Sequence, residues 1–149
     1  MRVFLPALLF VALLSSCSSS SSDDGSTSRS VTKTVGADGA TIEVDGAVVT
    51  FPRGALADAK VITIGSTDEI PDGFVAVSKV FECAPSGTSF AAPVTMTMPF
   101  TDDGQGPVTM FWSAGADPTF KDVGGSPTGK TFTATVMHFS RGFVGRKKL

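Results

Sequence analysis

The sequence predicts an all-β protein: an antiparallel two-sheet sandwich of about seven to nine short strands, behind a signal peptide and a disordered Ser-rich tether. Three observations lead there. Beyond residue 30 no stretch keeps apolar residues at helical spacing. The 16 glycines and 9 prolines divide the chain into pieces too short for long helices. Apolar and polar residues alternate with period two instead, as half-buried strands do.

The strands follow in order. Ile42 and Val44 lead into Asp45-Gly46, a strong two-residue hairpin signal, and residues 48–51 return. Residues 60–64 and 75–81 supply two more. Val94, Met96, Met98 and Phe100 then share one face, with Thr95 and Thr97 on the other. Val108, Met110 and Trp112 repeat the pattern after the Asp102-Asp103-Gly104 turn, and residues 131–136 complete the set. Threonine on the outward positions suits a β-branched side chain on a wet sheet face.

The start of the chain predicts a compartment. Met1 and Arg2 give a short positive beginning, and residues 4–14 form an apolar run of 11 residues. That is too short to span a bilayer as a helix but fits the core of a signal peptide. The run ends in Leu14-Ser15-Ser16-Cys17, which resembles the lipobox of bacterial lipoproteins. The resemblance implies cleavage before Cys17, a diacylglycerol on its thiol and acylation of the new amino group. Two or three chains anchor stably where one binds marginally. An ordinary secretory signal, leaving Cys17 as a free thiol, is the alternative. In the lipoproteins it resembles, aspartate after the cysteine marks inner-membrane retention, so Ser18 implies the outer membrane rather than the inner. The expected organisation is a lipoprotein signal peptide over 1–16, the lipidated cysteine and tether over 17–32, a sandwich domain over 33–145 and a basic tail over 146–149.

Charge and cysteine usage exclude several classes. Twelve basic and 14 acidic residues give a net charge of −2, and no Lys/Arg cluster interleaved with aromatics occurs. Nucleic acid is therefore not an expected partner. With Cys17 lipidated, Cys83 stands alone, so no internal disulfide is expected although export permits them. With one histidine in the chain, His-rich zinc sites are excluded, and neither a metal nor a cofactor is expected. The acidic pairs at Asp23-Asp24, Asp68-Glu69 and Asp102-Asp103 read as solvated turns, because adjacent strand residues point to opposite faces. Trp112 falls on the apolar parity and reads as core rather than as a sugar-stacking platform.

Three segments carry a family resemblance. Residues 52–56 read Pro-Arg-Gly-Ala-Leu, residues 83–87 Cys-Ala-Pro-Ser-Gly, and residues 93–99 Pro-Val-Thr-Met-Thr-Met-Pro. In this order they resemble the ZU5 domain, a β-sandwich named from zona-occludens proteins and netrin receptors and also found in ankyrins. The resemblance covers roughly residues 35–144. Each segment also has a structural reason: Pro52 ends a strand and Gly54 permits a turn, Pro85-Ser86-Gly87 is a turn, and Pro93 opens a strand.

His138-Phe139-Ser140 is the candidate site for chemistry. In some animal proteins with a domain of this type, a His-Phe-Ser sequence at its C-terminal edge is where the chain cuts itself. The resemblance implies His138 as general base, Ser140 as nucleophile and the Phe139 carbonyl as electrophile. Strand parity would bury His138 and Ser140 and expose Met137 and Phe139, and a bulge near Met137 would restore the pattern. The alternative is that both polar groups simply hydrogen-bond nearby backbone. The peptide beyond the cut would dock as an edge strand or leave. The expected function is a membrane-anchored structural or protein-binding module with a protein partner. A self-processing domain is the alternative, and a carbohydrate-binding module a weaker one.

Overall fold

The computed structural model describes residues 28–115 and 117–149. The signal peptide, Cys17 and the serine run lie outside the described residues. Twelve strands are found among the described residues, in two antiparallel sheets, as expected of a sandwich but with more strands than the seven to nine expected. They are β1 (Arg29–Val35), β2 (Ala40–Val44), β3 (Ala47–Phe51), β4 (Lys60–Thr67), β5 (Phe74–Ala76), β6 (Val80–Ala84), β7 (Ser89–Pro99), β8 (Thr109–Ala114), β9 (Asp117–Gly124), β10 (Ser126–Thr128), β11 (Thr131–His138) and β12 (Arg141–Lys147). One sheet runs β1-β4-β6-β12-β8-β9, with β5 paired to β12, and the other β10-β11-β7-β3-β2.

The five-stranded sheet follows the sequence pattern closely. Asp45 and Gly46 take positive φ angles of 47° and 78°, and Val44 pairs with Ala47 across this two-residue turn. Val94, Met96 and Met98 are fully buried. On the outer face, Thr41 pairs with Thr50, Thr50 with Thr95 and Thr95 with Thr135, forming one row of threonines across four strands.

The seven-stranded sheet departs from simple alternation. Met110, Phe111, Trp112 and Ser113 of β8 are buried in succession, as are residues 142–145 of β12. The inner face joins the core between the sheets, where Met110, Trp112 and Val144 pack. The outer face carries a second cluster of Val80, Phe111 and Phe143, against which Phe74 and Phe120 pack. Phe111 and Trp112 are thus core on opposite faces, and neither presents a ring for sugar stacking.

Three local expectations change. β1 begins at Arg29, inside the segment assigned to the tether. Its first six residues are exposed, so backbone pairing with β4 forms it and no hydrophobic pattern announces it. Arg146 and Lys147, assigned to the tail, belong to β12, and Arg146 grips Asp103 through two hydrogen bonds of 2.8 and 2.6 Å. That pairing holds the Asp103 carboxyl below its usual range. Pro93 lies inside β7, at the register break against β11, where a missing N–H does no harm.

Cys83 is buried and unbonded, and burial, with the Glu82 charge beside it, pushes its thiol far up. In a Cys17→Ser chain at neutral pH, iodoacetamide should label Cys83 only after unfolding. Cys83→Ala should cost on the order of 1 kcal/mol. Rapid labelling of the folded chain, or outright unfolding by the substitution, would contradict this.

Candidate functional site at the corner between the sheets

The last residue of β11 is His138 and the first of β12 is Arg141, so Phe139 and Ser140 alone carry the chain from one sheet to the other. The register of β11 shifts between Val136 and His138, at the position where the sequence pattern asks for a bulge. Met137 stays 49% exposed, whereas Phe139 is completely buried and Ser140 is 3% exposed. His138 is half-buried.

Phe139 is the apolar plug of the corner. Its ring meets Phe90 at 4.8 Å and Phe51 at 5.6 Å, both edge-to-face, and Phe51 and Phe90 meet each other at 5.8 Å. Edge-to-face pairs add about 0.5–1.5 kcal/mol each beyond area burial.

A buried crossing must also satisfy its backbone, because an orphaned amide costs as much as a lost hydrogen bond. Phe139 N–H donates to Thr88 O at 2.8 Å, and Phe139 O accepts from Gly87 N–H at 2.9 Å. Ser140 O accepts from Cys83 N–H at 2.9 Å. His138 O accepts from the Trp112 indole at 3.1 Å. The turn at residues 85–88 is thus a clamp on the Phe139 peptide, and Gly87 makes it with φ of 80°.

His138 and Ser140 meet through Ser113. Ser113 O lies 3.1 Å from His138 Nε2, and because a carbonyl only accepts, Nε2 carries the proton and Nδ1 is left to take one. Ser113 Oγ accepts from Arg141 N–H at 3.2 Å and also bonds Ser140 Oγ, whose own contact to Gly115 O is 3.0 Å. One assignment satisfies all of these: Arg141 N–H donates to Ser113, Ser113 to Ser140, and Ser140 to Gly115 O. The Ser140 proton therefore points at a carbonyl in this arrangement and away from the imidazole. Ser113 was not anticipated from sequence; its one signal is a serine inside a strand otherwise buried on both faces.

A shallow pocket of about 310 Å³ opens beside Ser140, bounded by Gly115, Ser86, Glu82 and Arg141 among others. Arg141 Nε stands 2.8 Å from Glu82 Oε1 in a Coulombic contact without hydrogen-bond alignment. Among the described residues no group of side chains is placed to hold a metal ion.

The sequence model of the ZU5 domain family matches residues 31–107. That range contains all three motif segments, including the 85–88 clamp, and ends before His138. No curated protein matches the chain.

Phe139→Ala should cost about 3–5 kcal/mol in urea unfolding, the range for emptying a buried phenylalanine site. Ser113→Ala should cost about 1–3 kcal/mol, because it leaves the Arg141 N–H and Ser140 hydroxyl short of a partner. A cost below about 1 kcal/mol for Phe139→Ala would show that the corner does not hold the sheets.

Proposed function

The chain belongs to the ZU5 domain family, and from that premise we propose a lipid-anchored protein of a bacterial cell envelope whose sandwich serves as a structural or protein-binding module. The family match carries the module, since ZU5 domains are protein-interaction modules. Leu14-Ser15-Ser16-Cys17 at the end of an apolar run supports the anchor. The reading has a protein as its partner beyond the membrane, with the outer membrane favoured by Ser18. Residues 18–28 separate Cys17 from the first strand, and at full extension they reach roughly 36–40 Å. That is long enough to hold the domain clear of lipid headgroups.

A second reading is favoured by the amide at Gly87. In it the chain cuts itself between Phe139 and Ser140. Ser140 Oγ attacks the Phe139 carbonyl carbon, its proton passes to His138, and the C–N bond breaks as the Ser140 nitrogen takes up a proton. Water then hydrolyses the resulting ester, leaving a Phe139 carboxylate and restoring the Ser140 hydroxyl. The Gly87 N–H already lies 2.9 Å from the oxygen on which negative charge would develop. The resting Ser140 hydroxyl has to turn from Gly115 O toward the imidazole before the proton can pass.

Metabolic labelling with a fatty-acid analogue tests the anchor. Label should enter the wild-type chain and be absent after Cys17→Ser, with that variant unprocessed or soluble; label persisting on it would sink the reading. Self-cleavage predicts loss of the cut in Ser140→Ala and slowing of about 10²–10⁴-fold in His138→Ala. Intact mass under denaturing conditions reads both, and equal cleavage in wild type and Ser140→Ala would rule out the serine.

A further inference from the structure

A strand at the end of a sheet leaves alternate N–H and C=O groups without a ladder partner, so it has to be blunted or paired. Among the described residues β1, β2, β5, β9 and β10 have a neighbouring strand on one side only. Four of these are blunted. β5 and β10 are three residues long, and β10 contains Pro127. The register of β9 against β8 shifts twice. β2 has five residues, and the Lys33 ammonium sits on it, donating to Thr41 O at 3.1 Å.

β1 carries none of these devices. Its seven residues hold no proline and pair with β4 without a break, from Arg29 opposite Ser66 to Val35 opposite Lys60. Ser30, Thr32 and Thr34, which share one face, are uncharged. On the other face Arg29 and Lys33 turn to the second sheet, and Arg29 Nε lies 3.5 Å from Asp45 Oδ1. Val31 is 38% exposed, and Val61, opposite Thr34 on β4, is 61% exposed.

We propose that β1 is a self-association edge: two copies pair antiparallel, β1 to β1, about a two-fold axis at Thr32, and join their seven-stranded sheets into one. Charge complementarity singles out a second copy in one register. A two-fold antiparallel pair sets each residue opposite the one equally far beyond the axis. Centred on Val31, it would oppose Arg29 to Lys33. Centred on Lys33, it would oppose the two lysines, and like charges directly opposite destabilise a pair. Centred on Thr32, Arg29 faces Val35, Ser30 faces Thr34, Val31 faces Lys33 and Thr32 faces its own copy. All seven residues then pair, and the Lys33 stem covers the exposed Val31. The Thr32 hydroxyl already bonds that of Thr63, so the joint becomes a row of four threonines. The pairing adds a second copy to the protein-binding reading and depends neither on that reading nor on the lipid anchor.

Cysteine cross-linking of the purified full chain in detergent, with copper–phenanthroline as oxidant, tests the pairing. Opposed Cα atoms of an antiparallel pair lie about 4.5–5.5 Å apart, within the span of a disulfide. Thr32→Cys alone should therefore give a cross-linked dimer. Ser30→Cys and Thr34→Cys should each stay monomeric, since their own copies lie roughly 13 Å apart, and should cross-link when the two are mixed. The wild-type chain, with Cys17 and Cys83, sets the background. Val31→Lys added to Thr32→Cys should lower the dimer yield several-fold by setting lysine opposite lysine, whereas Val31→Asp should not. Urea unfolding checks that each variant keeps its fold. A Thr32→Cys yield at the wild-type background would overturn the pairing. Equal yields at all three single positions would show random collision in its place. In intact cells, Thr32→Cys linked to another protein and not to itself would give the edge to a foreign partner and overturn the second copy.

Discussion

A chain that passes between the layers of a sandwich in two residues must bury polar backbone at the point of crossing. Phe139–Ser140 makes that passage, and much of the molecule is arranged to make it tolerable. Phe139 makes two edge-to-face contacts, with Phe51 and Phe90, which also meet each other edge to face, and four hydrogen bonds engage main-chain groups of residues 138–140. The hydrogen-bond partners come from the 83–88 segment and from Trp112 of β8, and the packing rings from Phe51 and Phe90, places far apart in sequence. Remove the plug, and the corner loses the ring that packs it against Phe51 and Phe90.

This dependence gives the family motifs a physical meaning. The Cys-Ala-Pro-Ser-Gly segment sends Cys83 into the core, pairs its N–H with Ser140 O and turns so that Gly87 and Thr88 clamp the Phe139 peptide. The Pro-Arg-Gly-Ala-Leu segment buries Ala55 and Leu56, and Ala55 O accepts the N–H of Ala91 beside Phe90. The same clamp that stabilises the crossing places an amide donor on the one carbonyl the self-cleavage reading would attack. Structure and reactivity draw on a single set of contacts, so the His-Phe-Ser sequence has a structural reason to exist whether or not it reacts.

Much of the fold was legible because one face of the five-stranded sheet is wet. Thr95 and Thr97 outward with Val94, Met96 and Met98 inward is a period-two signal, and Asp45-Gly46 names its own turn. The parity conflict at Met137 and Phe139 likewise pointed to the register shift. The seven-stranded sheet was harder to read. β8 and β12 are covered on both faces, which erases alternation, and β1 is exposed on both, which erases it from the other direction. The interior position of β12 depends on pairing Arg141 with Glu82 of β6 and Gly142 with Trp112 of β8, partners far away along the chain, and composition does not encode that. Ser113 was missed for the same reason: its partners His138, Ser140 and Arg141 are neighbours only after β8 and β12 pair.

The central claim is that the corner is closed by the same cooperative unit as the core and does not open by itself. Native-state hydrogen exchange at the amides of Cys83, Gly87 and Phe139 tests it directly, since each donates to, or belongs to, the crossing. The three should exchange together, with the free energy of the slowest core amides in β7 and β8, because breaking any of them requires unseating the Phe139 ring. Exchange at Gly87 and Phe139 through a local opening far cheaper than global unfolding, while Met96 and Met110 stay protected, would contradict the account.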